Sequence, residues 1–380
     1  MIESSILATP ISELLLTASP SKATFPGLAP CCGVLTPQQF DDSRVEIETV
    51  LSAAAVHDLG WLRRIAVRGE DRFRWLNGMV TNTVQDLNAD SGAWNLVLNS
   101  QGRIQGDLHV WRASQPVDTT QSAVDLPSEL ELELAADQAE KLLAHFEHFI
   151  IMDDVELVPV TDQTALGLRG PLADEVLGRL GIHPPPATLT QSSQLWSGHP
   201  LLIRRRSDSL VPGYSLWIRL SALHELWLAL RSAGALPVGS SALVSLRVAE
   251  GTPIYGVDMV ERDLPQETSQ LQALHFNKGC YLGQEIVERI HSRGNVHRHL
   301  RQLELTGARP ESGTELTLDG APVGHLTSIA EIGTHTLALG MVRAEAETSA
   351  SPLNYSGGTA QLLSAPISVN FLITPKTPSL

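Results

Sequence analysis

Lys278-Gly279-Cys280-Tyr281-Leu282-Gly283-Gln284-Glu285 is the stretch on which the reading of this chain turns. Leu282, Ile286 and Ile290 recur at i, i+4 and i+8, so the spacing predicts a helix over 282–291. Such a helix sets Cys280 beside unpaired N–H groups at the positive end of the helix dipole, with the Lys278 ammonium two residues away. Both features favour thiolate over thiol and make Cys280 a candidate reactive thiol with Lys278 as its neighbour. Gly279 and Gly283 let the backbone approach another group closely. The alternative is a small, inert core residue, a common fate of free cysteines.

On the C-terminal side the texture is all β. Leu303 and Leu305 alternate with Gln302 and Glu304, Leu337, Leu339 and Met341 alternate again, and Asp319-Gly320 is a hairpin signal. These predict a small closing β-barrel over 297–374, followed by a tail at 375–380. On the N-terminal side residues 251–277 are irregular and follow a predicted helix over 241–250. Further back, strands are predicted over 62–67, 94–98, 104–111, 155–160, 165–168, 201–205 and 214–220, and helices over 71–79, 137–149, 172–180 and 223–230. Leu130, Leu132 and Leu134 alternate with acids, which predicts a half-buried strand over 129–134. Repeated strand–helix–strand units indicate an α+β fold with ferredoxin-like packing. The segments divide into 45–125 with 237–296 as one core domain, 126–236 as a ferredoxin-like domain, and the barrel. Residues 1–44, rich in Ser, Thr, Ala and Pro without a period, read as a flexible leader.

The chain has 380 residues, 43% of them hydrophobic and 18% charged, enough for two or three domains with a real core. A net charge of −15 excludes nucleic-acid binding through bulk charge; any RNA contact needs a local basic surface. No apolar run approaches the roughly 20 residues that cross a bilayer, which argues against a membrane partner. Leu14-Leu15-Leu16 is too short for a secretory signal, and the first 40 residues contain no Arg, unlike a mitochondrial transit peptide. Three cysteines, two of them adjacent at Cys31 and Cys32, make no disulfide framework and suit a reducing cytoplasm. The histidines show no H-E-x-x-H spacing, so no metal site is expected, and there is no Walker loop or dinucleotide fingerprint.

With Pro265-Gln266-Glu267, Asn277, Arg289 and Arg293-Gly294, the opening stretch resembles the signature of the YgfZ family, with Leu282 where the family usually has Thr. Arg247, Gly251, Pro253 and Gly256 match the same family upstream, and Gly324-His325-Leu326-Thr327-Ser328 resembles its barrel. The likeness covers roughly 50–345. It implies a three-domain ring, as in the glycine-cleavage T-protein, whose centre binds tetrahydrofolate or a derivative. It also implies an accessory role in maturing or repairing iron–sulfur enzymes, tRNA-modifying ones included. The partners would be iron–sulfur assembly factors and client enzymes, and the protein a cytoplasmic monomer outside conventional enzyme classes. The competing readings are a folate-dependent aminomethyltransferase and a tRNA-binding factor.

A pterin wants a flat wall for its face and an acceptor for its N–H edge. Trp94 stands where the T-protein pattern has a stacking Tyr, or is a core Trp; Asn99 and Asp107 lie on the following turn and strand. The T-protein's paired acids read Gly106-Asp107 here, so one is missing. Its R-x-E-x-G reads Arg247-Val248-Ala249-Glu250-Gly251, which puts Glu250 about 100° around the helix. Glu267 or Glu285 are candidate replacements, Gln284 is a further cofactor contact, and Arg247 either binds an anionic part of folate or forms a structural ion pair. Arg289, His291, Arg293, His297, Arg298, His299 and Arg301 form a basic stretch suited to a polyglutamyl tail or RNA phosphate, or to a solvated linker. Arg204-Arg205-Arg206 is a second basic run at a strand end.

Overall fold

A computed structural model describes residues 6–18, 27–114, 129–207, 210–294, 296–349, 351–364 and 367–373. The expected 125/126 boundary and the tail at 375–380 lie outside these. The chain divides into two compact units, one of residues 1–95 and 108–242, the other of 96–107 and 243–380.

The first unit holds one whole sheet and the greater part of a second. One has six strands, in spatial order Gln191–Trp196, His199–Arg205, Gly213–Arg219, Gln163–Arg169, Ala55–Asp58 and Leu236–Pro237. Its core gathers Leu166, Leu168, Ile203, Tyr214, Leu216 and Ile218 from strands against Val176, Leu177, Leu226 and Leu230 from helices Ala173–Arg179 and Leu223–Ser232. The strand Gln191–Trp196 escaped the sequence reading because its Gln-Ser-Ser-Gln run carries no apolar alternation.

The second sheet runs Ser91–Leu98, Ile104–Arg112, Leu130–Ala135, Leu62–Arg68 and Glu156–Val160. Its middle strand corrects the expectation of a half-buried strand, since residues 130–134 are buried on both faces. The two acids are accepted inside because arginines meet them. Arg64 makes a bidentate pair with Glu131 at 2.7 and 2.9 Å. Arg204 reaches Glu131 at 2.5 Å and Glu133 at 2.9 Å. The basic run 204–206 does lie at a strand end, and its first member, Arg204, is fully buried. Arg206 and the Trp217 indole N–H complete the shell of Glu133, whose pKa falls to about 2; burial opposes ionisation, but Arg204 and Arg206 outweigh it.

The expected leader is also corrected. Pro10–Ala18 is a helix, and Leu28–Cys31 pairs antiparallel with Val34–Pro37. Ile11 enters the core of the six-stranded sheet, and Thr9 and Thr36 donate to the buried Asp58 carboxylate. These few anchors leave no periodic signal in a Ser- and Pro-rich sequence.

The second unit closes on a six-stranded barrel of Arg298–Gly307, His335–Arg343, Ala321–Ile332, Glu315–Leu318, Leu353–Tyr355 and Gly358–Leu362. Leu318 pairs with Ala321 across Asp319-Gly320, both at positive φ (50° and 80°), the two-residue hairpin turn that Asp-Gly favours. Among the described residues no helix is long and apolar enough to cross a membrane.

Candidate functional site

The signature stretch lies in the second unit. Its helix is Gln284–Arg293, not 282–291, with Gly283 before it at φ 84°. Leu282 is outside the helix, and Val287 is its one fully buried residue. Cys280 therefore sits four residues before the first helical position, in an exposed loop, and not against the helix N-terminus. The expectation of a thiol at the dipole fails because a left-handed glycine delays the start of the helix.

The loop is nonetheless tightly placed. A Cβ on Gly283 would fall 2.6 Å from the Asn99 carbonyl oxygen and 3.0 Å from Gly102 Cα, and one on Gly102 would fall 2.8 Å from Ile286 Cβ. Two glycines thus let the start of the helix rest on the 99–102 turn. That turn is closed from within, as Asn99 Oδ1 accepts from the backbone of Gln101 and Arg103, each at 3.0 Å. The Ile104 N–H donates to the Asp263 carbonyl, tying the turn to the irregular segment. Gln284 Oε1 accepts from the Tyr281 N–H at 3.3 Å.

Next to the exposed Cys280, Lys278 is buried. Its Nζ lies 5.0 Å from the Tyr281 ring centroid, and desolvation pulls its pKa down to about 7. Tyr281 is buried too; burial, then the Glu288 carboxylate, push its phenol up, and its Oη has no hydrogen-bond partner among the described residues.

A second cluster joins the matched upstream and barrel stretches. Arg247 donates to Asp258 Oδ2 at 2.6 Å and to Ser328 Oγ at 2.8 Å. Asp258 Oδ1 accepts from the Thr327 and Ser328 hydroxyls, both at 2.6 Å. The ion-pair alternative for Arg247 is thus realised, although its buried Nε has no partner among the described residues. Asp258 was missed, for it sits in an irregular Gly-Val-Asp segment with no spacing to mark it. Beside it lies a cleft of about 170 Å³ lined by Asp258, Arg262, Asp263, Arg298, His325 and Thr327, among others.

The other candidates disperse. Glu267 accepts from Arg298 Nε and from the Leu264 N–H, both at 2.9 Å, so its carboxylate already serves the fold. Glu285 is exposed and pairs with Arg289 one turn on at 2.6 Å. Glu250 is half-buried at the end of helix Ser240–Glu250, and Asp107 is half-buried on its strand beside a buried Gly106. The basic stretch is largely neutralised: Arg298 pairs with Asp263 and Glu267, while His299 and Arg301 both meet Glu347. His291 stacks on Phe276 at 3.9 Å. Trp94 belongs to the first unit, where it stacks on His109 at 6.3 Å, and His109 stacks on Trp111 at 6.2 Å. Burial, then Arg206, lower the His109 pKa to about 4 and keep the ladder uncharged at neutral pH.

Among known proteins, residues 24–278 match the GCVT N-terminal domain family, and residues 298–368 match the CAF17 C-terminal beta-barrel domain. The chain is 27% identical over 299 residues to "Putative transferase At1g60990, chloroplastic" of Arabidopsis thaliana, covering 77% of this chain and 65% of that protein, just under two thirds of its length. It is 25% identical to the aminomethyltransferase of Shouchella clausii, covering 92% of each. The crystal structure of the glycine cleavage system aminomethyltransferase T from Bartonella henselae superposes with a TM-score of 0.82 at 18% identity, over 95% of this chain and 97% of that one. The fold is therefore GcvT-like, of mixed α and β content, ending in a closed six-stranded barrel, as the sequence indicated.

Proposed function

Because the chain belongs to the GCVT N-terminal domain family, we propose that it is a tetrahydrofolate-binding accessory protein of the YgfZ type, supporting iron–sulfur enzymes, tRNA-modifying ones among them. The observation that carries this reading is the signature loop: an exposed thiol, Cys280, in a segment fixed through Gly283 and Gly102, beside a buried lysine of near-neutral pKa. A thiol presented to a partner suits an accessory role better than one enclosed with a substrate. The CAF17-type barrel supports the same reading. The partners would be iron–sulfur assembly factors and client enzymes, and the location the cytoplasm.

Two buried polar groups support a reduced folate as the ligand. The buried Arg247 Nε and Tyr281 Oη, both without protein partners among the described residues, match a ligand that carries carboxylates and a polar pterin edge. Arg247 and Tyr281, with Asn99 and Asp107 on the neighbouring hairpin, are the residues we assign to hold it. Bound tetrahydrofolate supplies nitrogens that carry a one-carbon unit. Asp258 holds the Arg247 guanidinium in place, and Lys278 exchanges its proton near neutral pH.

Aminomethyl transfer is the second reading, favoured by the names of the relatives. Against it stands Gly106 in place of an acid. Calorimetry with tetrahydrofolate followed by a transfer assay from an aminomethylated lipoyl carrier separates the two. The accessory reading expects saturable binding with little transfer. Turnover matching a T-protein would overturn it, and absence of binding would remove both.

A further inference from the structure

The hairpin of Leu28–Cys31 and Val34–Pro37 closes through the two residues Cys32 and Gly33, with Cys31 paired opposite Val34. Both turn residues have positive φ, 49° and 85°, the type I′ pattern that selects Asn, Asp or Gly at its first position. Cysteine there gains nothing from the turn and costs something to hold in the left-handed region. The consequence is a pair of adjacent thiols with Sγ atoms 3.9 Å apart, both half-buried. The turn is held in place: the Cys32 carbonyl accepts from the Asp137 N–H at 3.1 Å, at the start of helix Ala136–His148, and a Cβ on Gly33 would fall 3.0 Å from Asp137 Cβ.

We propose that Cys31 and Cys32 form a thiol–disulfide exchange site whose oxidant is a low-molecular-weight disulfide. One thiolate attacks a sulfur of the small disulfide; that S–S bond breaks and one small thiolate leaves. The neighbouring thiolate then attacks the protein sulfur of the mixed disulfide and expels the second small thiolate. The protein gives up two protons and two electrons, and the small disulfide becomes two thiols. The second attack comes from the adjacent residue, so it outcompetes any intermolecular thiol. Neighbouring Cα atoms lie about 3.8 Å apart, below the about 4.4 Å lower edge of ordinary disulfides. The bond is therefore strained and easily reduced, which makes the site reversible. Forming it requires the sulfurs to close in, which disturbs the turn and its bond to Asp137.

The test uses the full chain carrying Cys280→Ala, in buffers of graded oxidised-to-reduced glutathione ratio, followed by alkylation and tryptic mapping. The peptide 23–44 contains both cysteines. The proposal expects this peptide to lose the mass of two hydrogens and all alkylation as the ratio rises, and to regain both on reduction. In the same chain carrying also Cys32→Ser, Cys31 should instead retain one glutathione. Double alkylation at every ratio, or a mixed disulfide that persists with both cysteines present, would overturn it.

Discussion

Replacing Lys278 by Met should change how stability depends on pH. The ordinary lysine pKa is about 10.4, and desolvation lowers that of Lys278 to about 7. Between these values the unfolded chain binds a proton that the folded chain does not, so this group makes stability rise with pH. Below the folded pKa both states are protonated, and the full cost of burying the charge is felt. At about 1.4 kcal/mol per unit, that cost is on the order of 4 to 5 kcal/mol. Between about pH 7 and pH 9 the relief amounts to about 2 kcal/mol. Methionine keeps the bulk and carries no charge. Urea unfolding of both proteins across this range should show Lys278→Met the more stable at pH 7, with the gap closing by about 2 kcal/mol at pH 9. Parallel profiles would refute the burial argument.

Arg204→Leu should destabilise the first unit by about 3 to 5 kcal/mol, because it leaves Glu131 and Glu133 buried with reduced compensation; unfolding midpoints at pH 7 check this. Gly283→Ala should cost on the order of 1 to 3 kcal/mol, as it adds a Cβ 2.6 Å from the Asn99 carbonyl oxygen at φ 84°. The same change made at Gly279, whose added Cβ would meet nothing within 4 Å, should be near neutral, and thermal melts compare the two. Aminomethyl transfer should fall on the order of a hundredfold below a T-protein, since a misplaced carboxylate by about 1 Å costs that much; a reconstituted assay measures it.

Where apolar residues alternate or recur, the sequence announced the fold. The barrel, the Asp319-Gly320 turn and helix Leu223–Ser232 were all legible from periodicity. What stayed hidden depends on partners distant in sequence. Glu131 and Glu133 read as solvent-facing because alternation cannot reveal Arg64 and Arg204 across the core. The leader failed similarly, through isolated anchors at Thr9, Ile11 and Thr36. At the site, the motif drew attention to Lys278 and Cys280 but misjudged their surroundings. The left-handed Gly283 makes the helix start late, and the three-dimensional packing, which the sequence does not display, buries the lysine and leaves the cysteine exposed. The Arg247–Asp258–Thr327–Ser328 cluster joins three segments; Arg247 and Thr327-Ser328 lie in stretches the resemblance marked, but nothing in the sequence links them to one another or points to Asp258.

On the proposed function, Cys280 serves activity while contributing little to the fold, and a complementation experiment decides the matter. Cells lacking the endogenous protein would be supplied with either the natural chain or Cys280→Ala, and scored for the activity of their iron–sulfur enzymes at matched protein levels. Because Cys280 is exposed, the variant should fold and accumulate normally. The natural chain should restore those enzymes and the variant should not; full restoration by Cys280→Ala would rule out a functional role for this thiol.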